Sequence, residues 1–182
     1  PDLNEQEAVK KLGDAIFHAS RVSTDDPVAE WDAHNKNLRE KTNWLNSMNF
    51  SSLLYDGPGT NLEVGLADDH EWMGGASQSQ NGIICNPNIP SEEVFTTPHA
   101  LKVNGKVCST KPLSYQGTLI EDIQVEFKDG KIINARSTKG ENVLLKVLDS
   151  DEGSRRLGEV ALVPNSSPIS QLGITFYNTL FD

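Results

Sequence analysis

The sequence has few cysteines, no excess of positive charge and no long apolar run, and these shortages exclude several classes of protein. Its 16 lysines and arginines stand against 26 aspartates and glutamates, which gives a net charge of -10. A nucleic-acid-binding protein needs a basic face for the phosphates, and an anionic membrane surface repels a protein of this charge. No apolar run approaches the roughly 20 residues that span a bilayer. We therefore expect neither a nucleic acid nor a membrane as partner.

Cysteine is limited to Cys85 and Cys108. Their spacing does not match a zinc site, and a single pair allows at most one disulfide. Because most intracellular cysteines stay reduced, we expect two free thiols in a cytoplasmic protein.

Several common catalytic motifs are also missing. The sequence contains no Walker-type phosphate loop, no His-Glu-x-x-His, no Gly-x-Ser-x-Gly and no Cys-x-x-Cys. The glycines of "WMGG" do not stand between a strand and a helix, as the glycines of a dinucleotide-binding loop do. We therefore set nucleotide binding aside and turn to the acidic side chains.

Helical periodicity is confined to the first part of the chain. Apolar residues recur at helical spacing over residues 5–22, and again from Pro27 to about Met48. Asp26 is a suitable N-cap for the second helix, with Pro27 as its first residue. His34 lies on that helix, and we expect it to be a surface or packing residue rather than a metal ligand.

The composition changes from Phe50 onwards. Short β-prone runs alternate there with glycine and proline turns, and one helical run, "GENVLLKVL", interrupts them. The sequence therefore predicts an α+β fold. A helical lead segment (residues 1–50) precedes a β-rich body with a mixed sheet (residues 51–182).

Two dipeptides predict tight hairpins in this body. Asn104-Gly105 and Asp129-Gly130 each lie between β-prone runs, and both are typical of type I′ turns. The Gly-Pro-Gly sequence at 57–59 predicts a further turn between strands. The apolar runs at 159–163 and 173–181 predict two later strands.

Carboxylates next to apolar residues are the candidate functional groups. Glu92 and Glu93 precede Val94 and Phe95. In an extended chain adjacent side chains point to opposite faces, so only one of the two glutamates can face a buried site. We expect the other to be exposed or paired with a cation. Glu159 precedes four apolar residues, and a carboxylate buried there needs a metal ion or an arginine.

The residues alone leave other interpretations open. Glu93 and Glu159 also suit the acid and base of a metal-free glycosidase. Alternatively, Arg155 or Arg156 forms a structural ion pair with Glu159. In that case the β-rich body is a non-catalytic binding or dimerisation module.

Longer strings in the chain resemble a known family. The strings "GPGTNLEVGL", "WMGG", "NIPSEEVFTTP", "VNGKVCSTKPLSYQG", "FKDGKI" and "DEGSRRLGEVALVPNSSPISQLGITFYNTLFD" occur in this order. They resemble the M29 metallo-aminopeptidases, which include thermophilic, staphylococcal and streptococcal members. The resemblance covers at least residues 55–182 and is expected to extend into the helical lead segment.

The resemblance implies a cytoplasmic, dimeric, two-domain enzyme. Such an enzyme releases N-terminal residues from peptides with a pair of divalent metal ions (zinc, cobalt or magnesium). The family's first two glutamate ligands correspond to Glu93, in "PSEEVF", and Glu159, in "LGEVA". Ser91 replaces the usual threonine of the first motif and keeps a hydroxyl there. The general base is left open between Glu92 and a carboxylate outside the chain.

The family pattern continues beyond "LFD" with further metal ligands. The resemblance therefore implies that residues 51–182 form the first half of the catalytic domain, and that the chain is a fragment of a longer enzyme. Two carboxylates are a weak site for a cation that prefers four or more ligands. We expect little or no activity from this chain alone.

Overall fold

The computed structural model describes residues 3–178, with a helical lead followed by a β-rich body. The helices are α1 (Glu5–Ala19), α2 (Pro27–Met48), α3 (Glu141–Leu148) and α4 (Pro168–Leu172). The strands are β1 (Ser52–Gly57), β2 (Thr60–Leu66), β3 (Ser77–Gln78), β4 (Ile84–Cys85), β5 (Val94–Thr96), β6 (Pro98–Cys108), β7 (Leu113–Tyr115), β8 (Thr118–Ile120), β9 (Gln124–Lys128), β10 (Lys131–Arg136) and β11 (Val160–Leu162). None of the helices in this range is long and apolar enough to span a bilayer.

A five-stranded sheet in the order β1-β2-β6-β9-β10 forms the centre of the body. A separate two-stranded ribbon pairs β5 with β11. The predicted α+β organisation is confirmed. Within the described residues the strand pairs are antiparallel rather than mixed, because short turns and hairpins connect most neighbouring strands.

One hydrophobic core joins the helices to the sheet. Its buried members include Leu62, Val64, Val103, Phe127 and Ile132 from the sheet, Leu38 and Leu45 from α2, Leu144 and Leu148 from α3, and Trp72 and Val94 from the segments near β5. Because α2 contributes to this core and contacts β5, the helical lead is fixed against the segment that carries Glu92 and Glu93.

Local signals explain where the two long helices begin. The Asn4 side chain accepts a hydrogen bond from the Glu7 backbone, and the Glu7 side chain accepts one from the Asn4 backbone, which is a capping box. The Asp26 side chain accepts from the Ala29 N–H, and Pro27 is the first helical residue. The predicted start of the second helix is therefore confirmed.

Helix α1 ends three residues earlier than predicted, in a Schellman motif. The Arg21 N–H donates to the His18 carbonyl at 3.1 Å, and the Val22 N–H donates to the Phe17 carbonyl at 3.0 Å. Arg21 has a left-handed φ of 58°. Glycine is usual at this position, and another residue costs about 1–2 kcal/mol there.

The hairpin predicted at Asn104-Gly105 is wrong. Both residues lie inside β6, which pairs with β2 on one side and β9 on the other. Gly105 has a φ of 116°, and a Cβ at this position would overlap the backbone of Asn61 on β2. The glycine therefore permits close strand approach rather than a turn. At Asp129-Gly130, by contrast, the predicted hairpin forms between β9 and β10.

The predicted strands near the end of the described range have different outcomes. The strand following Glu159 is present as β11. The strand predicted over 173–181 is absent from its described part, 173–178, and the remainder lies outside the described residues. The short helix α4 precedes this segment. Ser167 caps α4, and Pro168 is its first residue.

Candidate functional site

The ribbon of β5 and β11 places Glu93 and Glu159 on one face. Glu93 directly precedes β5, and Glu159 directly precedes β11. Phe95 is paired with Ala161 across the ribbon, and directly opposed residues share a face. Because every second residue of a strand returns to the same face, Glu93 and Glu159 extend from the face of this pair, one from each end of the antiparallel ribbon. Glu92 lies on the opposite face.

The two carboxylates of this face interact electrostatically. Glu93 is half-buried, and its desolvation, followed by repulsion from the negative charge of Glu159, raises the pKa of the Glu93 carboxyl. No ion pair or metal-ligand cluster within residues 3–178 compensates the two charges. A cation bound between the carboxylates would remove the cost of both burial and repulsion.

The environment of Glu159 differs from the sequence-based expectation. Its side chain is exposed, although Val160 after it is buried. Apolar neighbours therefore do not bury this carboxylate within the described part of the chain.

The structural ion pair considered for Glu159 does not form. Arg155 donates to Asp149 at 2.7 and 2.9 Å, and Arg156 donates to the Ala100 carbonyl. The alternative in which an arginine neutralises Glu159 is therefore wrong. The carboxylate is left available to a ligand.

A cleft of about 440 Å³ opens beside Glu93. Its walls come from α2, from segment 73–77 and from segment 87–95. Met73 and Phe95 supply apolar surface, and Glu93 and Arg39 are the charged residues of the lining. A cleft of this size accommodates a small organic ligand.

Gly74 allows segment 73–77 to pass close to Glu93. Met73 and Phe95 exchange two backbone hydrogen bonds, at 2.9 and 2.8 Å. A Cβ at Gly74 would lie 2.6 Å from the Glu93 carbonyl oxygen, a distance that real Cβ atoms do not tolerate. The glycines of "WMGG", set aside as a nucleotide motif, therefore shape the backbone beside the candidate ligand.

Glu92 forms a buried ion pair with Arg21. The Arg21 Nε and Nη2 atoms donate to the two Glu92 carboxylate oxygens, each at 2.8 Å, and Nη1 donates to Glu30 at 3.0 Å. The prediction that one glutamate of the pair is exposed or meets a cation is confirmed. Arg21 was missed because it lies 71 residues away in sequence. Both Glu92 oxygens are engaged on the face away from Glu93, which disfavours Glu92 as a general base.

His34 is a packing residue, as predicted, and it also contacts the glutamate loop. Its Nε2 lies 2.7 Å from the Ser91 carbonyl oxygen, so this nitrogen carries the donated proton. The same atom lies 3.5 Å from Glu92 Oε1. Trp31 packs edge-on against the ring.

Known proteins similar to this chain are aminopeptidases. The sequence model of the thermophilic metalloprotease (M29) family matches residues 1–182. The chain is 52% identical over 182 residues to Aminopeptidase T of Thermus thermophilus, covering 100% of this chain and 45% of the relative. It is 49% identical over 181 residues to Aminopeptidase 2 of Geobacillus stearothermophilus, covering 100% and 44%.

The fold agrees with a solved structure. The chain superposes on wild-type AmpT from Thermus thermophilus with a TM-score of 0.92 at 50% sequence identity. The match covers 100% of this chain and 44% of the solved chain. The chain thus spans less than half the length of the relatives that it matches.

Proposed function

Because the chain belongs to the thermophilic metalloprotease (M29) family, we propose that the whole protein is a metal-dependent aminopeptidase that releases N-terminal residues from peptides. The observation that supports the proposal is that Glu93 and Glu159 extend from one face of the ribbon, near enough for the charge of Glu159 to raise the pKa of Glu93. The aminopeptidase names of the relatives support the reaction class.

Glu93 and Glu159 fit the role of metal ligands. They form an all-oxygen donor pair without a compensating cation in residues 3–178, and carboxylate oxygens bind zinc, cobalt and magnesium. We propose that they hold a pair of such ions together with ligands from the part of the protein outside this chain. When bound, the ions activate a water and polarise the scissile carbonyl.

The residues around Glu93 suit the amino end of a peptide. The net charge of -10 attracts a substrate's ammonium group towards the protein. Met73 and Phe95 offer apolar surface to the substrate's first side chain. The cleft thereby orients the N-terminal residue beside the carboxylates.

The protein is further proposed to be a cytoplasmic homodimer. Cys85 and Cys108 are both free, which suits a reducing compartment. Val9, Leu12 and Phe17 of α1 are each more than half exposed and supply apolar surface for association. Light scattering on the full-length protein tests the dimer, and a monomeric mass at micromolar concentration contradicts it.

Turnover of a leucine arylamide tests the aminopeptidase. The protein at the full length of its relatives is expected to lose activity in a chelator and to recover it with added Zn²⁺ or Co²⁺. Glu93→Gln is expected to reduce kcat/KM by at least about 100-fold, roughly the loss of 2.7 kcal/mol of transition-state stabilisation. The exposed Glu152→Gln is the matched control and should stay within a factor of about two of the parent.

Two outcomes contradict the proposal. The first is activity that resists the chelator. Chelator-resistant hydrolysis of a glycoside in particular would favour the two-carboxylate glycosidase, which family membership disfavours. The second is full turnover by this chain alone. Residues 3–178 contain no group of three or more acidic, histidine or cysteine ligands, and zinc takes four ligands.

A further inference from the structure

We propose that Arg21 is a positioning residue that acts through Glu92 to hold Glu93 in the orientation needed for cation binding. The inference rests on the proposed function, since it takes Glu93 as a metal ligand. It gives the helical lead a role in the chemistry of the β-rich body.

The ion pair between Arg21 and Glu92 is buried and bidentate. The Arg21 side chain is 18% exposed and that of Glu92 is 4% exposed. Both Glu92 oxygens are held by separate guanidinium N–H groups, a bidentate arrangement that fixes the plane of the carboxylate. Because Glu92 and Glu93 are adjacent and point to opposite faces, holding the Glu92 side chain restrains the backbone from which the Glu93 side chain extends.

Helix α2 holds the rest of the same loop. Its His34 ring donates to the Ser91 carbonyl at 2.7 Å. Its Asn35 exchanges two amide hydrogen bonds with Asn86, at 2.8 and 3.0 Å. Segment 86–93 is therefore tied to the helical lead at both ends, and Arg21 completes the attachment next to Glu93.

Arg21 has an unfavourable backbone conformation. This residue occupies the left-handed position that ends α1, where glycine fits without strain. Glycine has no side chain to reach Glu92 and Glu30, whereas arginine reaches both. A residue that departs from the local backbone preference, as Arg21 does here, is typical of a functional constraint.

The test separates positioning from stability. Arg21→Met removes both guanidinium donors from the buried Glu92 carboxylate, which keeps only His34 Nε2 at 3.5 Å, and is expected to destabilise the protein. The double variant Arg21→Met/Glu92→Leu replaces the pair with apolar side chains and is expected to recover stability. If the pair positions Glu93, the double variant still binds metal weakly, because its loop has lost the bidentate attachment.

Two readouts are measured on the full-length protein, well below its melting temperature. Competition with a chromophoric chelator gives the Zn²⁺ affinity, which is expected to fall 10- to 100-fold in the double variant. Hydrogen exchange of segment 86–95 without metal is expected to accelerate. The core variant Leu62→Ala is the control, and it should lower stability without changing either readout.

The possible failures are distinguishable. If the parent binds Zn²⁺ no more tightly than Glu93→Gln does, the proposed function is overturned and this inference falls with it. If the parent binds through Glu93 and the double variant matches it in affinity and in exchange, the inference alone is overturned. A loss of affinity in Leu62→Ala equal to that in the double variant also overturns it, because stability would then explain both.

Discussion

At the scale of single residues, adjacent glutamates have opposite environments. Glu92 is buried and neutralised by Arg21, whereas Glu93 is half-buried beside a second carboxylate. The alternation of the extended backbone produces the difference. Within residues 3–178 an ion pair compensates the charge of Glu92, and none compensates the charge of Glu93.

The first prediction concerns the pH dependence of stability in the metal-free protein. The pKa of Glu93 is raised in the folded state, by burial first and by Glu159 second. The folded protein therefore binds more protons than the unfolded chain between the two pKa values, and stability falls as pH rises through this window. Glu93→Gln is expected to raise the melting temperature at pH 7 and to lose this advantage below about pH 4, near the ordinary glutamate pKa.

Calorimetry of the metal-free protein at both pH values checks this prediction. The exposed Glu152→Gln is the control and should shift the melting temperature little at either pH. A lower melting temperature for Glu93→Gln at pH 7 contradicts the assignment of Glu93 as an uncompensated carboxylate.

The second prediction compares two glycines. Gly74→Ala forces a Cβ against the Glu93 carbonyl and is expected to cost about 1–3 kcal/mol, with weaker metal binding. Gly13→Ala meets nothing within 4 Å and is expected to stabilise α1 by about 0.5–1 kcal/mol. Urea unfolding of the two variants measures the difference in free energy of unfolding. Equal effects would mean that the close approach at Gly74 does not contribute to stability.

The sequence allowed only some of these residues to be predicted. Glu93 and Glu159 were predicted from their motifs and from carboxylates beside apolar runs, because these signals are local. Arg21 was not, since its partner lies 71 residues away and no local pattern encodes a tertiary ion pair. The exposure of Glu159 was missed because apolar neighbours in the sequence do not show whether a given side chain is buried in the tertiary structure.

At the scale of elements, similar dipeptides have different structures. Asp129-Gly130 forms the hairpin between β9 and β10, with φ values of 50° and 78°, whereas Asn104-Gly105 lies within β6. The Asn104 side chain accepts a hydrogen bond from the Asp129 N–H at 2.9 Å. Asn104 thus supports the turn formed by Asp129-Gly130. Turn propensity alone did not distinguish the two dipeptides.

The third prediction tests this hairpin. A Cβ at Gly130 would overlap the backbone of Ala100, whereas one at Gly117 meets nothing within 4 Å, and both residues have positive φ. Gly117→Ala is expected to cost about 1–2 kcal/mol for the left-handed backbone alone. Gly130→Ala is expected to cost more, by about a further 1–3 kcal/mol for the overlap.

Denaturant unfolding of the two variants separates the steric cost from the backbone cost. A Gly130→Ala variant no less stable than Gly117→Ala would mean that the hairpin moves away from Ala100 without loss. In that event the close packing of this turn against β6 has no energetic importance.

At the scale of the whole molecule, the helical lead and the β-rich body form one structure. The α+β organisation was predicted because helical periodicity ends near Phe50 and β-prone runs follow it. The packing of the two parts against each other was not predicted. It depends on the core that α2 shares with the sheet and on the ion pair between Arg21 and Glu92.

The fourth prediction concerns how much the Arg21–Glu92 ion pair contributes to stability. Arg21→Met is expected to lower the free energy of unfolding by about 3 kcal/mol, the lower end of the range for broken buried pairs, because the arginine retains 18% exposure. The exposed pair of Lys10 and Asp14 is the control, and Lys10→Met should leave the free energy of unfolding almost unchanged, because solvent screens exposed ion pairs. Equal costs would mean that the buried pair does not join the two parts.

The most direct test of the central claim is an anomalous difference map at the zinc edge, from crystals of the full-length protein grown with Zn²⁺. The account predicts zinc within about 2.0–2.2 Å of a carboxylate oxygen of Glu93 and of Glu159. Zinc bound elsewhere, or at one of the two glutamates without the other, would contradict it.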